Sequence, residues 1–246
     1  LCADINLNTD YRSTERIVGL ANRVLSKSAF RCDYLRLMSK NKGGARVTKT
    51  VYNTDYDEAV DVAQRIYNAV KSGKALPTDF AILTRTNAQQ NIFCKTLGDL
   101  GIHFSVRKDA GLQIDVLENN FEDSNASDLS DSKKYVESGD AKDIDFAKDG
   151  GSEREKVDLI KKSLLPVTIS TIHASKGLEF KHVFLIGCSE GLLPFGSVNR
   201  TQDANEEERR LMYVAITRAE ATLHISYAIC KDYGNGMQRS VSHFLE

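Results

Sequence analysis

From Ser13 to Leu25 the apolar residues Ile17, Leu20, Ala21, Val24 and Leu25 recur at intervals of three and four, the spacing that lines one face of an α-helix. Ser13 or Thr14 can cap its start. Arg46 to Tyr52 alternates instead, with Val47, Lys49 and Val51 set against Thr48 and Thr50, as a strand does. Helical spacing returns from Asp57 to Val70 through Ala59, Val62, Ala63, Ile66 and Val70, and Gly73 ends it. Phe80-Ala81-Ile82-Leu83 is continuously apolar, the pattern of a strand buried on both faces of a parallel sheet. Asn87 to Leu100 predicts a helix closed by Gly101, and His103 to Val106 a short strand. Val167 to Thr171 and Val183 to Gly187 predict two more strands. Glu206 to Ala215 predicts a helix whose three opening acids suit its positive end, and Thr222 to Tyr227 a last strand. Strands alternating with helices over this length imply an α/β domain with a mainly parallel sheet flanked by helices.

Asp115 to Gly151 breaks the rhythm, being rich in Asp, Asn, Ser and Gly and without a period. The expected organisation is one folded domain from residues 1–110 and 152–246, with 111–151 an acidic, flexible insertion and room for a short helix near Glu153 to Leu164. Charge supports the division. Between Gly111 and Asp158 fourteen acids face six bases, a net of −8, which leaves +7 for the rest of a chain whose total is −1. A basic folded part suits contact with nucleic acid.

The apolar stretches, such as Val183 to Cys188, fall far short of the roughly 20 residues of a membrane span, and no charged-then-apolar leader opens the sequence. The five cysteines are scattered, with no C-x-x-C pair and no metal-ligand spacing with the histidines, so reduced thiols, a cytoplasmic location and no bound metal are expected. A start at Leu1 rather than Met suggests a piece of something longer.

Three segments carry candidate chemistry. In Asp10-Tyr11-Arg12-Ser13-Thr14 a ring and a guanidinium sit at the expected mouth of a helix, where free N–H groups favour anions; taken alone, a packed ring and a surface ion pair explain it better, since helix starts commonly carry such residues. The second runs from Thr168 through Thr171, His173, Ser175, Lys176, Gly177 and Glu179 to Phe180. It leaves the end of a strand, where open α/β sheets place ligands, so His173, Ser175, Lys176 and Glu179 are expected to face one crevice. The third is Glu206-Glu207-Glu208-Arg209-Arg210 through Arg218 to Glu220. Its Glu and Arg spacing supports a helix, but Arg218 follows the apolar run Val214-Ala215-Ile216 and needs a partner, either a phosphate or a carboxylate.

These segments resemble motifs IV, V and VI of the UvrD/Rep/PcrA group of superfamily 1 helicases, and Leu83-Thr84-Arg85-Thr86-Asn87-Ala88-Gln89 resembles that group's Y-R-T-N-A-Q element. The resemblance implies a RecA-like, P-loop-NTPase-type fold and the C-terminal motor domain of a 3′-to-5′ DNA helicase. It implies that Tyr11 stacks on adenine, that Arg12 and Arg218 contact the ATP γ-phosphate, that Gly177 approaches a phosphate and that Glu179 holds the ribose. Arg218 would be the arginine finger. Arg85, Thr86, Asn87, Thr171 and His173 would lie towards single-stranded DNA. Two departures stand out: Asp10 replaces the usual Asn, and the acidic segment stands where the group inserts a large helical subdomain.

No G-x-x-x-x-G-K-[ST] loop occurs; Gly73-Lys74 is followed by Ala75 and lacks the earlier glycine. The resemblance therefore implies that ATP and Mg²⁺ are bound mainly by an N-terminal RecA-like domain of the same protein, with single-stranded and duplex DNA as partners and no membrane. This fragment alone is expected to be inactive. The alternatives are a non-catalytic helicase-like module binding DNA or protein, and part of a RecB/AddA-type helicase-nuclease.

Overall fold

The computed structural model describes residues 8–29, 36–107, 115–116, 165–196, 200–230 and 238–246. At its centre lies β4 (Phe80–Thr84), and its unbroken apolar run has a physical reason. Successive side chains point to opposite faces of a sheet, so Ala81 and Leu83 enter one core while Phe80 and Ile82 enter another. The first core is closed by Ile17, Ala21 and Val24 of α1 (Glu15–Ser26) and by Leu211, Met212 and Ala215 of α4 (Gln202–Ile216). The second is closed by Ala59, Val62, Ala63 and Ile66 of α2 (Asp55–Lys71) and by Phe93 and Leu97 of α3 (Gln90–Asp99).

The main sheet adds β3 (Thr48–Thr54), β5 (Phe104–Arg107), β6 (Asp115–Val116), β7 (Val167–Thr171), β8 (Phe180–Leu185) and β9 (Ala219–Cys230), in the order β3-β9-β8-β4-β7-β5-β6. Every pairing is parallel except β5 with β6. The chain is therefore an α/β fold with a mainly parallel sheet flanked by helices. A second, two-stranded parallel sheet pairs β1 (Thr9–Thr14) with β2 (Met38–Asn41).

Some expectations are corrected. Residues expected at a helix mouth form β1, and α1 begins only at Glu15, with Thr14 at its cap making no side-chain cap bond. The helix expected from Asn87 opens as a 3-10 turn over Asn87–Gln89 before α3. β8 starts at Phe180, three residues before the expected strand. α4 starts at Gln202, so Glu206 to Glu208 occupy its second turn rather than its first. Of the proposed insertion, Asp115 and Val116 add a strand to the sheet edge; its remainder, and the helix expected near Glu153, lie outside the described residues.

α2 opens with a reciprocal cap, Asp57 N–H donating to Thr54 Oγ1 and Thr54 N–H to Asp57 Oδ2, both at 3.1 Å. One turn in, Glu58 is 2% exposed and accepts from the Ser226 hydroxyl at 2.6 Å and from Gly187 N–H at 3.2 Å. Burial pushes its carboxyl up to about 7 from 4.5, against the hydrogen bonds. Between those values the folded protein holds a proton that the unfolded chain has lost. The stability this gives is full below pH 4.5 and is lost as pH rises towards 7, by on the order of 3 kcal/mol. Glu58→Gln keeps the acceptor and cannot ionise, so urea unfolding of this variant is expected to lose that slope between about pH 5 and 7; an unchanged slope would contradict the assignment.

Candidate functional site

In a parallel sheet the direction of the strands assigns each loop to one end. Phe180 pairs with Ala219 at the starts of β8 and β9, so Glu179 and Arg218, one residue before each, stand side by side at the N-terminal end. β1 reaches the same place, where the Ser13 hydroxyl donates to the Ala219 carbonyl at 2.8 Å. Arg12, Glu179 and Arg218 thus meet there from three distant parts of the chain. Arg12 forms an ion pair with Glu179 in which both side chains stay over a third exposed.

Arg218 is half-buried, and its partners carry no formal charge: Nε donates to the Val214 carbonyl at 3.1 Å, Nη1 to the Leu178 carbonyl at 3.0 Å and Nη2 to the Thr217 hydroxyl at 3.4 Å. Burial, and then the neighbouring Arg12 charge, pull its pKa below the ordinary arginine value, with Glu179 opposing. Two guanidiniums lie close enough to repel, with one carboxylate between them. An incoming anion relieves that repulsion.

Asp10 shapes the approach. Its Oδ1 accepts Arg12 N–H at 2.7 Å and Ser13 N–H at 2.8 Å, a local turn that an Asn oxygen would make equally. Where the β1–β2 register shifts, side chains of β2 replace the ladder. Ser39 donates to the Ser13 carbonyl, and Asn41 Nδ2 to the carbonyls of Tyr11 and Arg12. Tyr11 is left 68% exposed, with Lys40 Nζ 5.0 Å from its ring centre. An open cleft of about 650 Å³ follows, lined by Asp10, Tyr11, Arg12, Leu37, Glu179 and Glu220 among others. Gly177, exposed nearby in sequence, has a φ of +84°, a conformation that favours glycine.

The other end of the sheet is different. Thr84 pairs with Thr171 at the C-terminal ends of β4 and β7, and the loops starting at Arg85 and Ile172 leave from there. Gln89 Oε1 gathers the first, accepting from the N–H groups of Arg85 and Thr86 and the Thr86 hydroxyl at 3.0–3.2 Å, while Asn87 stays exposed. Buried Thr171 and Ser175 tighten the second: Thr171 Oγ1 accepts Ala174 N–H at 3.1 Å, and the Ser175 hydroxyl donates to the Ile172 carbonyl at 2.8 Å. His173 is half-exposed between them. The expected single crevice for His173, Ser175, Lys176 and Glu179 is therefore corrected. Ser175 is buried, and the chain crosses the sheet between His173 and Glu179, placing them at opposite ends.

Arg85 does not present a free charge. Its Nη2 lies 2.6 Å from Glu208 Oε1 and its Nε 3.1 Å from both carboxylate oxygens, the side chains being 18% and 9% exposed. The same carboxylate accepts Phe195 N–H at 2.9 Å, and the Phe195 ring, 49% exposed, lies 5.2 Å from the Arg85 guanidinium. Sequence reasoning passed over Phe195. The signal was an aromatic in the glycine- and proline-bearing loop after a parallel strand, a place where function concentrates. Arg200 holds that loop through the carbonyls of Pro194, Phe195 and Gly196 at 2.8–2.9 Å.

The five charges Glu206 to Arg210 do three separate jobs. Glu206 and Arg209 pair inside the protein at 3.2 Å, Arg209 also donating to the Val24 carbonyl of α1 and lying 4.7 Å from the Phe244 ring centre. Glu207 and Arg210 pair in solvent at 3.4 Å. Glu208 turns to Arg85. Among the described residues no three His, Cys, Asp or Glu side chains gather as an all-protein metal site requires, and no helix among them is long and apolar enough to cross a membrane.

A family model described as the UvrD-like helicase C-terminal domain matches residues 5–112 and 150–229. The ATP-dependent DNA helicase UvrD2 of Mycobacterium tuberculosis H37Rv is 30% identical over 300 aligned residues, covering 99% of this chain and 41% of the relative. The ATP-dependent DNA helicase Rep of Escherichia coli K12 is 45% identical over 82 residues, 32% of this chain and 12% of Rep. A crystal structure of the C-terminal domain of a possible DNA helicase from Lactobacillus plantarum WCFS1 superposes with a TM-score of 0.48 at 17% identity, over 96% of this chain and 92% of that one.

Proposed function

The chain belongs to the family of UvrD-like helicase C-terminal domains, and we propose that it serves as the second RecA-like motor domain of an ATP-dependent, 3′-to-5′ DNA helicase. The observation that carries this is the meeting of Arg12 and Arg218 around Glu179, with a partly desolvated guanidinium whose present partners are neutral. In this reading ATP, with its Mg²⁺, is held by a preceding RecA-like domain that supplies the phosphate loop this sequence lacks. Its ribose hydroxyls take Glu179. Its γ-phosphate takes Arg12, released from that carboxylate, together with Arg218, and Tyr11 stacks on adenine. Gly177 brings backbone close to the phosphates.

Arg218 then stabilises charge that builds on the transferred phosphoryl group. Closing two domains around the nucleotide and reopening them alternates the grip on single-stranded DNA at the opposite end of the sheet. Thr86, Asn87 and His173 face the strand there, where phosphate contacts and stacking suit sequence-independent binding; Thr171, expected among them, is buried and shapes the loop beneath. Exposed Phe195 offers a ring, and Arg85 joins this face from behind, its guanidinium held by Glu208. The free thiols of Cys188 and Cys230 suit a reducing cytoplasm.

The test is steady-state ATP hydrolysis. The full-length protein is expected to hydrolyse ATP faster with single-stranded DNA than without it, and this chain alone to hydrolyse none. DNA-stimulated turnover by the chain alone would contradict the reading.

A further inference from the structure

The two ends of the sheet are joined by one rigid element. α4 leaves the loop beyond β8 and runs to the residue pair before β9, about 22 Å at 1.5 Å per residue. Its second turn carries Glu208, held to Arg85 at one end of the sheet; its last turn carries the Val214 carbonyl that holds Arg218 at the other. Arg85 is the first residue beyond β4, and its own N–H is bound by Gln89, which gathers the loop of Thr86 and Asn87. The contact is two-pronged, largely shielded from water and shared with Phe195 N–H. Such a pair resists sliding of the two elements past each other, because an offset leaves a shielded charge uncompensated.

We infer that the Arg85–Glu208 pair is a strut through which α4 couples the DNA-facing loops to the placement of Arg218, making both of its members positioning residues for hydrolysis. This rests on the assignment of the two ends given under the proposed function. The neighbouring pair Glu207–Arg210, on the same helix but exposed, supplies the control.

The experiment compares ATP turnover of the full-length protein at saturating single-stranded DNA with turnover without DNA. Glu208→Gln is expected to lower that ratio about tenfold while single-strand affinity is retained, and Glu207→Gln to leave the ratio at the unmodified value. Arg85→Gln, alone or combined with Glu208→Gln, is expected to give the same fall, because each removes one interaction. Arg85→Lys keeps the charge and loses the fork, so it recovers part of the ratio; it also serves as the test should Glu208→Gln fail to fold. A ratio unchanged in Glu208→Gln, a loss shared equally by both turnovers, or additive losses in the double variant would each overturn the strut. If the unmodified protein shows no DNA stimulation, the motor reading fails first and the strut with it.

Discussion

Replacing Arg218 by alanine in the full-length protein is expected to lower ATP turnover by about 10³-fold or more, with single-stranded DNA affinity little changed. The reason lies in what the guanidinium touches. Val214, Leu178 and Thr217 orient it through neutral oxygens, and half-burial denies it part of its hydration, so an approaching phosphate meets a directed and poorly compensated charge. Lysine is not expected to rescue the loss, because an ammonium cannot both hold those carbonyls and present a fork to the phosphate. DNA affinity survives because the contacts proposed for it lie at the other end of the sheet. Steady-state hydrolysis beside a single-strand binding titration checks both halves; undiminished turnover would remove Arg218 from the chemistry.

The second large effect concerns stability. Arg209→Ala is expected to cost this chain about 3–5 kcal/mol in urea unfolding, since it removes the only cation paired with Glu206 among the described residues and leaves that shielded charge uncompensated. Burial pushes the Glu206 carboxyl up, but hydrogen bonds from Ser28, the Ala29 N–H and Arg209 outweigh it, and its pKa ends below the usual carboxylate range. Without the arginine Glu206 loses its counter-charge, and the hold on Val24 and the face of Phe244 goes too. Glu207→Ala, one residue along and in solvent, is expected to cost less than about 1 kcal/mol. Equal losses at the two positions would contradict the division of labour along α4.

Where burial is periodic, the sequence was informative. α2 repeats Ala59, Val62, Ala63 and Ile66 because one face meets the sheet, and β4 is apolar from Phe80 to Leu83 because both faces do. β1 and β2 escaped because their stability comes from elsewhere. Met38-Ser39-Lys40-Asn41 has no apolar alternation, and its hold on β1 relies on the Ser39 hydroxyl and the Asn41 amide, which periodicity does not register. β8 begins early because Lys181 and His182 sit at a strand end open to solvent.

The candidate site was legible as segments rather than as geometry. Matching motifs brought forward Arg12, Glu179 and Arg218, and the fold brings these three together. Which polar residues of the second segment share a crevice depends on where the chain crosses the sheet, and spacing along the sequence does not encode that. Nor does spacing reveal that Arg85 is committed to a carboxylate 123 residues away. The i, i+3 pattern of Glu206 to Arg210 is the same for the buried pair and the exposed one; only the position of α1 separates them.

The most direct measurement is a crystal structure of the full-length protein with a non-hydrolysable ATP analogue. Arg12 and Arg218 should both lie within hydrogen-bond distance of the γ-phosphate, with Glu179 on the ribose hydroxyls and its ion pair with Arg12 broken. An analogue bound elsewhere, or one that leaves Arg12 on Glu179 and Arg218 on its carbonyls, would contradict the account.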